Sequence, residues 1–226
     1  MNVLLSGIVG STAYGLAGPD SDVDRIGMFA LPTIELVGLG KPQLSIVGTN
    51  PDVTWHEAGK ALSLALAGNH TASELLWLPD DLYEVRTPLG DEAIALRARF
   101  LCARRAKDAY LGYATQQFRK LLAQDGEQPT NVRIAKHARH LMRLVEQGYE
   151  LYTTGSVRIR LEDPRRFLDF GAAVAEDPQR VVPFMAEAED RFSRARTVLA
   201  DEPDYAAAQD WLLRVRRAHW DWEQRD

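Results

Sequence analysis

Apolar and polar positions along the first ninety residues change their period several times, and each change marks an element. Residues 3–9 (VLLSGIV) form a short apolar run closed by Gly10, the pattern of a buried strand. Gly10-Ser11 then begins a turn or helix start, followed by a Gly/Pro/Asp-rich loop from Gly15 to Ser21. The stretch from about Asp22 to Leu31 (DVDRIGMFAL) predicts a second strand, ended by Pro32. In it Val23 alternates with Asp22 and Asp24, so both carboxylates project from one face. Further short strands are expected over Leu44–Val47 and Val53–Trp55. Glu57 to Ala67 has helical periodicity ending at Gly68-Asn69, and Thr71-Ala-Ser-Glu74 has the form of a capping box opening another short helix.

From about Glu92 onward the chain changes character. Long segments rich in Ala, Leu, Arg and Glu alternate with breaks near Gln128-Pro129, Gly155, Pro164, Pro178 and Pro203, which predicts a run of helices. No internal repeat or low-complexity tract interrupts it. The expected fold class is α+β, with a first domain over residues 1–90 and a mainly α-helical part over 91–226.

Composition narrows the class. Apolar residues make up 46% and charged residues 26%, the balance of a globular chain that folds in water. The uncharged stretch before Asp20 resembles a secretory leader only superficially, because its apolar run is short and no basic region precedes it; it reads as a strand. No stretch approaches the length of a membrane helix. The single cysteine, Cys102, cannot form an internal disulfide, so a reducing cytoplasmic setting is expected, with Cys102 as a small buried helix residue.

Charge adds more than composition does. The net charge of −5 is the sum of −8 over residues 1–96, +8 over residues 97–143 and −5 over residues 144–226. An acidic front followed by a basic middle suits a cleft that holds cations on one wall and polyphosphate on the other.

The informative constellation is Gly10-Ser11, ten intervening residues, then Asp22-Val-Asp24. Glycine lets the backbone approach a phosphate, and Ser11 offers a hydroxyl and the N–H groups of a helix start. Two carboxylates on one face can bridge hard cations such as Mg²⁺ or Mn²⁺. Cations paired with a triphosphate support in-line displacement at the α-phosphorus. In the basic middle, Lys136, His140 and Arg143 are spaced i, i+4, i+7 on one helix face, flanked by Arg133 and Arg139. They read either as contacts to triphosphate or acceptor phosphates, or as a solvated face. The spacing of His137 and His140 alone does not make a zinc site. Tyr14 is a candidate for stacking on a base or for core packing, and Asp20, beside Pro19, reads as a turn residue.

The stretch GIVGSTAYGLAGPDSDVDRIGMF resembles the Gly-Ser…Asp-x-Asp signature of the DNA polymerase beta superfamily of nucleotidyltransferases, most closely the predicted nucleotidyltransferases associated with RNA ligases. The resemblance continues through Gly68-Asn69, Glu74-Leu-Leu-Trp77 and Lys136…His140-Leu-Met-Arg143, over most of the first 160 residues. A helix often found ahead of the motif has no counterpart in the few residues before Gly10. The resemblance implies a small mixed sheet with flanking helices and metal ligation by Asp22 and Asp24. It also implies a third carboxylate from a neighbouring strand, matched by Asp52, which would hold a metal and accept the proton of the attacking hydroxyl. Residues 91–226 would then lend a basic wall to the cleft. The implied reaction moves NMP from an NTP to a hydroxyl, an RNA or tRNA end being the first acceptor expected, with release of pyrophosphate.

Alternatives stay open. A regulatory module could keep the fold and pair with a protein partner, or the acceptor could be a protein or small-molecule hydroxyl. A phosphatase fits poorly, because Gly18-Pro19-Asp20-Ser21 precedes the Asp pair where an apolar strand is needed. A P-loop ATPase is disfavoured because Gly7-Ile-Val-Gly10-Ser11 lacks the Gly-Lys-Ser/Thr grip.

Overall fold

The computed structural model describes residues 1–19, 21–49, 52–122 and 130–220, the side chains of 118 and 120–122 excepted. The chain forms two compact units, one of residues 1–101 with the chain from 202 onward, the other of residues 102–201. The composition change near residue 90 falls inside the first unit.

The first unit runs β1 (Asn2–Val9), α1 (Gly10–Tyr14), β2 (Asp24–Ala30), α2 (Thr33–Val37), β3 (Ser45–Thr49), β4 (Asp52–Glu57), α3 (Ala58–Leu66), α4 (His70–Glu74), β5 (Tyr83–Arg86) and α5 (Pro88–Leu96). In the second unit follow α6 (Ala103–Leu122), α7 (Asn131–Thr154), α8 (Pro164–Glu176) and α9 (Val181–Arg194); α10 (Tyr205–Ala218) returns to the first. The α+β expectation therefore holds.

Among the described residues the strands make one mixed sheet in the order β3-β4-β2-β1-β5. Only β2 and β4 run parallel, the other neighbours pairing antiparallel. The middle of this sheet is the apolar core: Leu4, Leu5, Ile26, Met28 and Phe29 are all buried. Trp211 on α10 is buried and donates its indole N–H to the Leu89 carbonyl at 2.9 Å, satisfying the one polar atom that its burial would otherwise strand. Glu57, at the junction of β4 and α3, is almost wholly buried. Its Oε2 accepts from the Gly59 and Lys60 backbone N–H groups, capping α3, and its Oε1 accepts from Arg216 on α10 at 2.5 Å.

Two boundaries differ from the sequence reading. The second strand begins at Asp24, two residues later than expected. Its antiparallel partner β1 ends at Val9, opposite Asp24, and its parallel partner β4 begins at Asp52, so no strand is left for Asp22 to pair with. The helix at 70–74 is capped not by Thr71 but by Asn69, whose Oδ1 accepts from the Ala72 N–H at 2.9 Å. Gly68, at φ +77°, turns the chain after α3 so that Asn69 arrives extended, the conformation of a cap.

The second unit is built on α7, which packs against both α6 and α8. Close approach is secured by glycines: a Cβ on Gly148 would lie 2.4 Å from that of Tyr110, and one on Gly171 would strike the Arg139 stem. The chain breaks at the expected places. Gly155 caps α7 in the left-handed region, Pro164 opens α8 behind the Asp163 cap, and Pro203 precedes α10. The break at Gln128-Pro129 lies outside the described residues. Cys102 is buried. Among the described residues no helix is long and apolar enough to cross a membrane.

Candidate active site

The site begins where β1 stops. Gly10 has φ +68°, a conformation that costs any residue with a Cβ, and a Cβ built there would lie 2.1 Å from Oδ2 of Asp24. Glycine is thus needed twice at this position, for the turn into α1 and for the space the Asp24 carboxylate fills. Sequence reasoning assigned Gly10 to phosphate approach; here it also lets the two halves of the motif touch.

Register supplies the second relation. Arg25 pairs with Val53 in the parallel β2–β4 ladder, and one step back along both strands Asp24 stands beside Asp52. Neighbouring strands lie about 5 Å apart and paired residues share a face, so the two acids head adjacent strands on one side of the sheet. Asp24 is half-buried, whereas Asp52 and Asp22 are exposed. Arg25, the next residue along, alternates to the other face and ion-pairs with Glu84 at 2.9 Å. Asp22 follows a turn closed between Gly18 and Ser21, whose backbone and side chain both meet Gly18. Asp20 lies outside the described residues.

The donor set suits a hard divalent cation: Asp22, Asp24 and Asp52 offer only carboxylate oxygens, at an edge open to water. Among the described residues no three His, Cys, Asp or Glu side chains are already gathered closely enough to hold a metal.

Ser11 is half-buried in the first turn of α1. Tyr14, at the end of that helix, takes the core alternative: it is buried and its hydroxyl meets Oε1 of buried Glu74 at 2.5 Å. Burial raises the Tyr83 phenol to about 12, against the opposing pull of Arg97 and Arg86, and its O–H donates to the Leu75 carbonyl. It is a structural tyrosine. His56, further along β4, is held below its usual value chiefly by burial and secondarily by Lys60.

The second unit carries the basic residues. Lys136 is exposed on α7, His140 half-buried and Arg143 buried. Arg143 donates to Oε1 of Gln147 at 2.8 Å and to Nδ1 of His140 at 3.1 Å. A guanidinium can only donate, so Nδ1 is the acceptor nitrogen and the ring proton sits on Nε2. Gln147 in turn donates to the carbonyls of Arg158 and Ile159, tying α7 to the following loop. Arg139 lies over Gly171 of α8. The i, i+4, i+7 stripe is therefore graded in depth, which its spacing did not reveal.

Sequence reasoning missed the buried roles of Glu57 and Gln147, and it read Glu74 as part of a capping box and of the family resemblance, not as the partner of Tyr14. Gln147 continues the stripe at i+4 from Arg143, and a polar residue at that step was the available signal. Glu57 had none, since an acid at a helix start looks the same exposed or buried.

No curated protein matches the chain. A family model does, over residues 1–177: RlaP, described as the RNA repair pathway DNA polymerase beta family.

Proposed function

The chain belongs to the RNA repair pathway DNA polymerase beta family, and we propose that it moves a nucleoside monophosphate from an NTP to a hydroxyl acceptor, an RNA or tRNA end in the first instance. Family membership supports nucleotidyl transfer in an RNA repair setting. The observation that carries the finer reading is the Gly10–Asp24 contact beside Asp52, which sets two acids and a helix start at one end of the sheet.

In this reading Asp22, Asp24 and Asp52 hold Mg²⁺ or Mn²⁺. The cations would neutralise triphosphate and stabilise charge on the attacking and leaving oxygens. Gly10 and Ser11 orient the phosphates through backbone N–H groups and the Ser11 hydroxyl. The acceptor oxygen forms a bond to the α-phosphorus, the bond to pyrophosphate breaks, and Asp52 accepts the hydroxyl proton. Lys136, exposed on α7, and His140 are the second unit's own candidates for binding phosphate. Arg143 acts through His140, as a positioning residue.

The test is substitution of each acid. Asp22→Ala and Asp24→Ala are expected to lower transfer on the order of a thousandfold or more, the scale of losing a preorganised electrostatic contact, with both variants folded. Full activity in either variant would refute the site. Full activity in Asp52→Ala would remove the third ligand and leave the pair.

A further inference from the structure

The two edges of the sheet are treated differently. On the β5 edge, Glu84 and Arg86 are charged and engaged, Glu84 with Arg25 and Arg86 with Asp80 and Asp91. Charged side chains on a short edge strand discourage pairing with another chain. The opposite edge, β3, reads Ser45-Ile-Val-Gly-Thr49, with no charge, proline or bulge. Ile46 is 37% and Val47 67% exposed, and Val37, Leu39 and Leu44 in the approach to it are exposed too. Among the described residues no strand covers its outer side.

The ladder fixes which groups face outward. The Glu57 N–H donates to the Leu44 carbonyl, in the register that pairs Ser45 with His56. Residues 44, 46 and 48 thus turn their backbone groups to β4, and Ser45, Val47 and Thr49 turn theirs to the open side.

We propose that this edge is a self-pairing surface, on which β3 of a second copy of the chain adds antiparallel about a twofold axis at Val47. That axis sets Val47 opposite Val47, Ser45 opposite Thr49, and Ile46 opposite Gly48. Hydroxyl meets hydroxyl, a bulky β-branched residue meets a glycine, and no like charges meet. The outward groups of 45, 47 and 49 fall together in the hydrogen-bonded positions, giving about six backbone bonds across the axis. A twofold contact of this kind closes on itself and joins the two sheets into one. A five-residue ladder is below the usual size of a stable interface, so the dimer is reversible, with a Kd on the order of micromolar at its tightest.

Sedimentation of the full chain over about a hundredfold range of concentration around that value reads the equilibrium. Wild type is expected to pass from monomer to dimer. Val47→Lys and Val47→Glu, each placing like charges across the axis, weaken association on the order of tenfold or more, and their mixture restores it. Val47 is well exposed, so both variants melt close to wild type. The register is tested by cysteines: Val47→Cys cross-links under mild oxidation, its Cα atoms being about 5.5 Å apart across the axis, whereas Thr49→Cys does not. A wild type that stays monomeric, dimers unaffected by Val47→Lys, or cross-linking at Thr49 instead of Val47 would each overturn the proposal.

Discussion

Asp24 and Arg143 are both charged residues that the sequence marks as ligands, and the structure holds them in opposite ways. Asp24 occupies space left by a missing side chain at Gly10, at a strand end beside a second acid. Arg143 is buried along α7 and spends its donors on Gln147 and His140 within its own unit. The first arrangement is made by backbone: a left-handed glycine, a parallel register and the length of β1. The second is made by side chains that hold one another. Changes at the first should act on chemistry, and changes at the second on stability first.

The largest effect falls on the buried ion pair at the far end of β4. Arg216→Ala leaves buried Glu57 without its cation, and should lower the unfolding free energy by about 3–5 kcal/mol in denaturant titration. Activity per folded molecule should persist, since Glu57 caps α3 and is remote in register from Asp52. Next is Gly10→Ala, which combines a strained φ with a collision on Asp24; a loss of about 1–3 kcal/mol is expected, together with loss of transfer. Retained activity would sever the link between the two halves of the motif.

Arg143→Ala and Lys136→Ala sharpen the contrast within α7. The former strands Gln147 and should cost about 1–3 kcal/mol, while the latter, at an exposed position, should stay within about 0.5 kcal/mol of wild type and instead raise the apparent KM for NTP or acceptor. An unaltered KM in Lys136→Ala would return that face to a solvated role.

The smallest effect is a pH slope. His56 titrates lower in the folded chain than its ordinary 6.5, so the unfolded chain takes up the proton first as pH falls. Its contribution to stability is present above about pH 6.5 and is lost as acidification protonates the folded form. Denaturant midpoints measured between neutral and mildly acidic pH should fall less steeply in His56→Asn than in wild type.

Much of this was legible in the sequence. Apolar runs and Gly/Pro breaks located the strands and most helix ends, because β1, β2 and the α8 and α10 starts are set by local chemistry. The Gly-Ser and Asp-x-Asp spacing located the candidate site. The start of β2 was not legible, since it depends on where β1 and β4 run out of partners. Nor was the depth of Arg143 or Glu57, because spacing gives a residue's direction around a helix or strand and not what lies beyond it. Asn69 displaced Thr71 as a cap for a similar reason: the turn at Gly68 decides which polar residue arrives extended.

Nucleotidyl transfer to RNA at the Asp22–Asp24 site is tested by following label from an NTP. The chain is incubated with α- or γ-labelled NTPs, Mg²⁺ or Mn²⁺ and RNA, beside the Asp22→Ala/Asp24→Ala double variant. With the intact protein alone, α-label is expected to pass to RNA while γ-label leaves as pyrophosphate. Absence of α-label from RNA, or equal labelling by the double variant, would contradict that expectation.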